Sequence, residues 1–169
     1  AAVMLLLSIT AIALPAAPPA LRHADTPESG FADLGEHAFD DDRSALSVLL
    51  VEDNPVNQMI GQVLLEQMGH KVQVAGNGLE AVQMADERPY DLILMDCHLP
   101  TLDGIEATRR IRQLENRRGR DRQTIVALTA TASDEDRRRC RDAGMDEVVL
   151  KPFSVAELAR VLARTVPAS

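Results

Sequence analysis

Five short apolar runs recur at regular intervals in the second part of this chain, at residues 46–51, 72–75, 92–95, 125–129 and 148–150. They constrain the fold more than any other feature. Each run is too short for a helix, is rich in Val, Ile or Leu, and is bounded by turn or polar residues. Unbroken apolar runs, rather than alternating ones, suit strands buried on both faces of a parallel sheet. Between them lie segments of helical period. Val56, Ile60, Val63 and Leu64 share one helical face, and Gly69 closes that helix. Leu79, Val82 and Met84 belong to a second helix ended by Pro89, and Ile105, Thr108, Ile111 and Leu114 mark a third. Ser133 with Asp136 opens a fourth, which Gly144 ends. Ser154 with Glu157 forms a capping box for a fifth, carrying Val155, Leu158, Val161 and Leu162. Strict alternation of strand and helix predicts an α/β fold, a doubly wound (βα)₅ domain with a five-stranded parallel sheet and helices on both faces.

The chain has 169 residues, 46% of them apolar, enough for one domain and an appendage. The predicted domain covers residues 46–167. Residues 1–45 differ in kind: an apolar stretch at 3–14, then Pro15, Pro18, Pro19, Gly30 and the run Asp40, Asp41, Asp42. Twelve apolar residues fall short of the roughly 20 that span a bilayer, and a signal peptide's basic n-region is missing. We read this part as an apolar remnant of an upstream region, with a truncated membrane segment or a cryptic signal as the alternatives, followed by an acidic, Pro-containing linker, in a piece of a longer protein. Much of the net charge of −8 lies here, with seven acids against Arg22 and Arg43. The main body is nearly balanced, which argues against nucleic acid as its partner. Its Arg stretches, 109–122 and 137–141, read as solvated helix faces, with docking to an acidic partner as the sharper alternative. With one Tyr, three Phe and no Trp, base stacking is nearly unavailable. Cys97 and Cys140 make no disulfide framework and fit a reducing compartment; Cys97 reads as packed and Cys140 as inert. Lys71 and Lys151 are the two lysines among many arginines.

In doubly wound sheets the site lies beyond the carboxyl ends of the strands. Glu52 and Asp53 follow the first run, Asp96 the third, Thr129 ends the fourth, and Lys151-Pro152 follow the fifth. Three carboxylates, a hydroxyl and an ammonium therefore converge on one sheet edge. Two carboxylates 4 Å apart repel by roughly 4 kcal/mol at an effective dielectric near 20, so three need a cation or a proton. Mg²⁺, an oxygen-seeking ion that sits on one or two carboxylates together with phosphate oxygens, satisfies them. Lys151 supplies a point charge for a phosphoryl group and Thr129 a hydroxyl donor. Phosphoryl transfer is mainly positioning and charge neutralisation, and an Asp carboxylate can be its covalent acceptor.

These residues stand in a wider pattern. Val48-Leu49-Leu50-Val51-Glu52-Asp53-Asn54-Pro55-Val56-Asn57-Gln58, Met95-Asp96-Cys97-His98-Leu99-Pro100-Thr101-Leu102-Asp103-Gly104, Ala127-Leu128-Thr129-Ala130 and Lys151-Pro152-Phe153 resemble the response-regulator receiver family. Ala75-Gly76-Asn77-Gly78-Leu79-Glu80-Ala81 resembles its second-helix entry. The form with Asn54-Pro55 and Asn57-Gln58 is most similar to receivers of hybrid sensor histidine kinases. The resemblance implies a doubly wound (βα)₅ flavodoxin-like fold, its five-stranded parallel sheet in the order 2-1-3-4-5, and Asp96 as the phosphoacceptor. It implies that Asp53 and Asp96 bind Mg²⁺ directly, Glu52 through a water, and His98 through its backbone carbonyl. Thr129 and Lys151 would contact the phosphoryl group, and the Lys151–Pro152 bond would be cis. The implied partner is a histidine kinase or a histidine phosphotransfer domain that donates from a phosphohistidine. The implied setting is cytoplasmic, with membrane association only through the parent chain.

Val148 stands where the family often carries an aromatic switch residue, three before the lysine, which predicts that the usual Thr129–aromatic coupling is lacking. The His98 side chain is read as flanking the site, and Met59 as part of either a docking patch or the core edge. An aspartyl-phosphate phosphatase is the competing reading, with His98 in place of that class's second Asp. A phosphorylation-independent pseudo-receiver is another. No Gly-rich fingerprint for a nucleotide follows the first run.

Overall fold

The computed structural model describes residues 45–131 and 133–165. The reading of residues 1–45 as apolar remnant and linker falls, but for its last residue, outside the described residues. Ten elements alternate: β1 (Ser47–Val51), α1 (Pro55–Gln67), β2 (Lys71–Ala75), α2 (Gly78–Glu87), β3 (Leu92–Asp96), α3 (Gly104–Arg118), β4 (Thr124–Thr129), α4 (Asp134–Ala143), β5 (Glu147–Leu150) and α5 (Val155–Thr165). The strands form one parallel sheet, as the alternation predicts, in the order β2-β1-β3-β4-β5 that the resemblance implies.

Successive side chains on a strand point to opposite faces, and the sheet uses both. Leu49, Val51, Ile93, Met95, Ile125 and Ala127 face one layer, meeting Ala81 and Ala85 of α2, Ala107 and Ile111 of α3 and Cys140 of α4. Val48, Leu50, Leu92, Leu94, Val126 and Leu128 face the other, meeting Leu65 of α1 and Leu158, Val161 and Leu162 of α5. Each fully buried Leu or Ile contributes about 1.5–3 kcal/mol relative to exposure. Burial on both faces holds for the central strands β1, β3 and β4 and fails at the edges. Lys71 and Gln73 of β2 are exposed, and in β5 only Val149 is buried. An edge strand has a neighbour on one side only, so its flanks reach solvent.

The apolar stripe of α1 is a correction to the expected packing. Val56, Met59, Ile60 and Val63 are all about half exposed or more, whereas Gly61 and Leu65 are buried. A Cβ on Gly61 would lie 2.8 Å from Leu50 Cδ2. The helix therefore lies against β1 along its glycine, and the stripe is turned outward. Leu79 of α2 is likewise exposed. No described helix is long and apolar enough to cross a membrane.

The capping pairs read for α4 and α5 form, and two helix ends the sequence reading left out, an Asn54 cap on α1 and Gly119 after α3, join them. Asn54 Oδ1 accepts from the amides of Val56 and Asn57, with Pro55 opening α1. Ser133 Oγ accepts from Asp136 N, and Ser154 with Glu157 closes a reciprocal box. Gly69, Gly119 and Gly144 take positive φ at or just beyond the ends of α1, α3 and α4.

The Arg-rich stretch of α3 is only partly a solvated face. Arg109 and Arg110 pair with Glu106 at the surface. Arg112 is instead a nearly buried clamp. Its guanidinium donates to both oxygens of Glu115 (2.9 and 2.8 Å), to Gln123 O (2.8 Å), to Gly144 O (3.0 Å) and to Asp146 Oδ2 (2.9 Å). Arg120 donates to Asp86 O (2.6 Å) at the end of α2, and Arg122 pairs with Asp146. Five donors in a planar fork suit such bridging. Arg112→Ala leaves Glu115, 5% exposed, without its cation, and should cost about 3 kcal/mol. Arg109→Ala should stay within about 0.5 kcal/mol. Urea unfolding of the two variants checks the contrast.

Candidate functional site

The site sits at the carboxyl ends of β1, β3, β4 and β5. β1 delivers Glu52 and Asp53 in the turn before α1, and β3 delivers Asp96 as its last residue. Carboxylate oxygens of Glu52, Asp53 and Asp96 lie within 4.8 Å of one another; Glu52 and Asp96 are buried and Asp53 is exposed. At that spacing each ionised pair repels by about 3 kcal/mol at an effective dielectric near 20. Lys151, beyond β5, answers part of this. Its Nζ donates to Asp96 Oδ2 at 2.6 Å and to Glu52 Oε2. The Lys151–Pro152 peptide bond is cis, as the resemblance implies.

The electrostatics follow from these contacts. Burial alone would raise the Glu52 carboxyl, but donation from Lys151 and Asn57, the charge of Lys151 and the Asn54 amide hold it below its ordinary value. Burial alone would lower Lys151, but its hydrogen bonds to Asp96 and Glu52 and their charges outweigh that and raise it. Burial, then the neighbouring Cys140, pushes the Cys97 thiol well up, in keeping with its packed reading.

Two expected site residues are placed differently from the acids and the lysine. Thr129 is 2% exposed, and its hydroxyl donates to Thr131 O at 2.7 Å, so it is turned into its own loop. It lines a cleft of about 370 Å³ together with Cys97, His98 and Cys140. His98 N donates to Asp96 Oδ1 at 3.0 Å while its side chain is exposed. Asp96 is therefore held at both oxygens. Val148 is half-buried and packs on the core layer facing α2, α3 and α4.

Sequence reasoning missed the residues that aim Glu52. Asn57 Nδ2 and Asn54 N both donate to Glu52 Oε1 at 3.2 Å, and Gln58 Nε2 donates to Glu52 O at 2.6 Å. The signal was present, since Asn57 and Gln58 stand one helical turn beyond the acid pair. It also missed the loop from β3 to α3, where Thr101 takes φ 69° and Leu102 N donates to Pro100 O at 2.7 Å. A β-branched residue there is an unusual choice.

Comparison with known proteins places this geometry. A family model described as response regulator receiver domain matches residues 48–163. The chain is 34% identical over 148 residues to probable histidine kinase 1 of Oryza sativa subsp. indica, which covers 71% of this chain and 15% of that protein. It is 43% identical over 115 residues to the sensor histidine kinase GacS of Pseudomonas protegens, covering 68% of this chain and 12% of that one. The chain thus spans a small part of the length of these relatives. Among solved structures, the receiver domain of a Pseudomonas aeruginosa PAO1 sensor histidine kinase, with a magnesium ion coordinated in its active site cleft, aligns with TM-score 0.66 and 48% identity. That alignment covers 73% of this chain and 98% of the other. The Saccharomyces cerevisiae complex of the histidine phosphotransfer protein Ypd1 with the receiver domain of Ssk1 aligns with TM-score 0.70 and 34% identity, over 73% and 90%.

Proposed function

This chain belongs to the response regulator receiver domain family, and on that premise we propose that it accepts a phosphoryl group from a partner phosphohistidine onto Asp96, within a hybrid sensor histidine kinase. The observation that carries the reading is the reach of Lys151 from the end of β5 to both Asp96 and Glu52. One ammonium thereby sits among carboxylates drawn from two other strands.

Mg²⁺ fits the donor set, which offers hard oxygens from Glu52, Asp53 and Asp96 within one ion's reach. Asp53 and Asp96 would hold it directly, Glu52 through a water and His98 through its backbone carbonyl. When bound, it neutralises charge on the phosphoryl oxygens. The chain's own residues do the rest. The His98 amide fixes Asp96 Oδ1, and Lys151 holds Oδ2 until its ammonium passes to a phosphoryl oxygen. Oδ2 then bonds to phosphorus as the bond to the imidazole nitrogen breaks, and the imidazole takes up a proton. Thr129 gives up its bond to Thr131 O and donates to another phosphoryl oxygen. Asn54 and Asn57 keep Glu52 ionised and aimed throughout.

The partner in this reading is a histidine kinase or a histidine phosphotransfer domain. The outward stripe of Val56, Met59, Ile60 and Val63 on α1, next to Asp53, offers it an apolar seat. The receiver–phosphotransfer complex among the structural relatives supports that pairing.

Incubation with acetyl phosphate and Mg²⁺ followed by intact-mass and peptide spectrometry tests the reading. A single phosphoryl adduct should appear on the peptide containing Asp96 and vanish when the metal is chelated. A chain that gains no adduct, or gains one elsewhere, overturns it.

A further inference from the structure

We propose that Cys97 and Cys140 are a redox pair that a small peroxide closes to an intramolecular disulfide, tying α4 to the end of β3. Their sulfurs lie 3.7 Å apart although the residues are 43 positions apart in sequence. Both are free and buried, and they are the chain's two cysteines, so neither has a competing partner within it. A disulfide needs about 2.05 Å between sulfurs, so the pair must close by the width of a small side-chain and helix adjustment.

The anchoring of α4 allows that adjustment. The helix carries eight charged residues in the sequence DEDRRRCRDA, and its buried residues are Cys140 and Ala143 alone. Apart from these two residues the helix buries little, so the closure falls on the two cysteine side chains and on a small shift of α4 against the core layer on which Cys140 packs. The approach is open as well. Both cysteines line the 370 Å³ cleft beside Thr129 and His98, and Cys97, at 8% exposure, is the more accessible of the two.

The chemistry balances with one peroxide. Burial leaves Cys97 only a small thiolate fraction at neutral pH, so the first step is slow: that thiolate attacks one oxygen of hydrogen peroxide, the O–O bond breaks, and the released hydroxide leaves as water with the thiol proton, giving a sulfenic acid. Cys140 sulfur then attacks Cys97 sulfur, and the displaced hydroxyl leaves as water with the Cys140 proton. Two thiols lose two electrons and one peroxide becomes two waters. None of this involves the phosphoryl chemistry proposed above, so the two readings stand or fall separately.

The test treats the native chain with hydrogen peroxide, denatures it, alkylates free thiols and measures intact and peptide masses. The expected result is loss of both alkylatable thiols, a mass lower by two hydrogens, a linked peptide pair carrying Cys97 and Cys140, and full reversal by dithiothreitol. In the Cys140→Ser variant the linked pair should be absent, and a dimedone-reactive sulfenic acid should persist on Cys97. Both thiols remaining alkylatable, a sulfinic acid on either cysteine without a linked pair, or crosslinking only between chains would each overturn the proposal.

Discussion

Lys151→Ala is expected to slow formation of the Asp96 adduct by about 10²–10³-fold, the usual loss when one preorganised charge is removed from a site of this kind. The same substitution should also weaken the fold. The ammonium is 2.6 Å from Asp96 Oδ2 and bonded to Glu52, and both acids are nearly buried. Deleting it leaves clustered carboxylates without their cation, at a cost of about 3 kcal/mol near neutral pH. The pH dependence has a definite sign. In the native chain Glu52 is held below its ordinary 4.5, so its contribution is present above that pH and fades as pH falls through the folded value. Without Lys151 its hold on the acid is lost while burial still raises the carboxyl, so the folded value moves up. The ionised Glu52 then contributes less to the variant at neutral pH, and the difference disappears once the acid is protonated. The gap between the two chains should be widest at neutrality and narrow towards pH 4.5. Millimolar Mg²⁺ should stabilise the variant more than the native chain, since binding to the folded state adds by mass action. Urea titrations with and without the metal, beside adduct kinetics, measure all three effects. Equal adduct rates in the two chains would remove Lys151 from the chemistry.

How much of this was legible beforehand depends on whether a residue acts through its place on the chain or through what lies opposite it. The five strands were readable because apolar runs of Val, Ile and Leu bounded by turn residues admit few other folds. The acids, Thr129 and Lys151 were readable because each stands at a strand end. The outward stripe of α1 was not. Val56, Ile60 and Val63 have the spacing of a buried face, and only the close approach of Gly61 to Leu50 shows that the helix lies on its other side. Arg112 was also opaque, since its neighbours Arg109 and Arg110 are exposed and its partners Gly144 and Asp146 come from much later in the chain. The nearness of Cys97 and Cys140 depends on the end of β3 and α4 sharing one core layer, which no local pattern encodes.

Gly104→Ala should be among the most damaging single-methyl additions in the molecule. Asp103-Gly104 reads in sequence as a turn and a helix start, and Asp103 does cap α3 by accepting from Glu106 N at 2.8 Å. The glycine has a second reason. A Cβ placed on it would lie 2.0 Å from the backbone oxygen of Asp96 and 2.9 Å from Met95 Cγ. The first of these is backbone at the end of a central strand and cannot yield as a side chain would. Relief requires the start of α3 to move off β3, which strains the Gly104 N to Cys97 O bond of 3.2 Å and the buried Thr108 hydroxyl bond to Gly104 O. Alanine ordinarily gains about 1 kcal/mol over glycine within a helix. Here the overlap should reverse the sign and cost about 3 kcal/mol or more, while displacing the carboxylate on which the proposed chemistry depends. Gly119→Ala is the natural control. It sits at φ 59° with open space around its missing Cβ, so it should cost only the left-handed strain of about 1–2 kcal/mol and leave adduct formation unchanged. Equal destabilisation by the two substitutions, in urea unfolding with native secondary structure retained, would mean that the close approach at Asp96 does not hold the site in place.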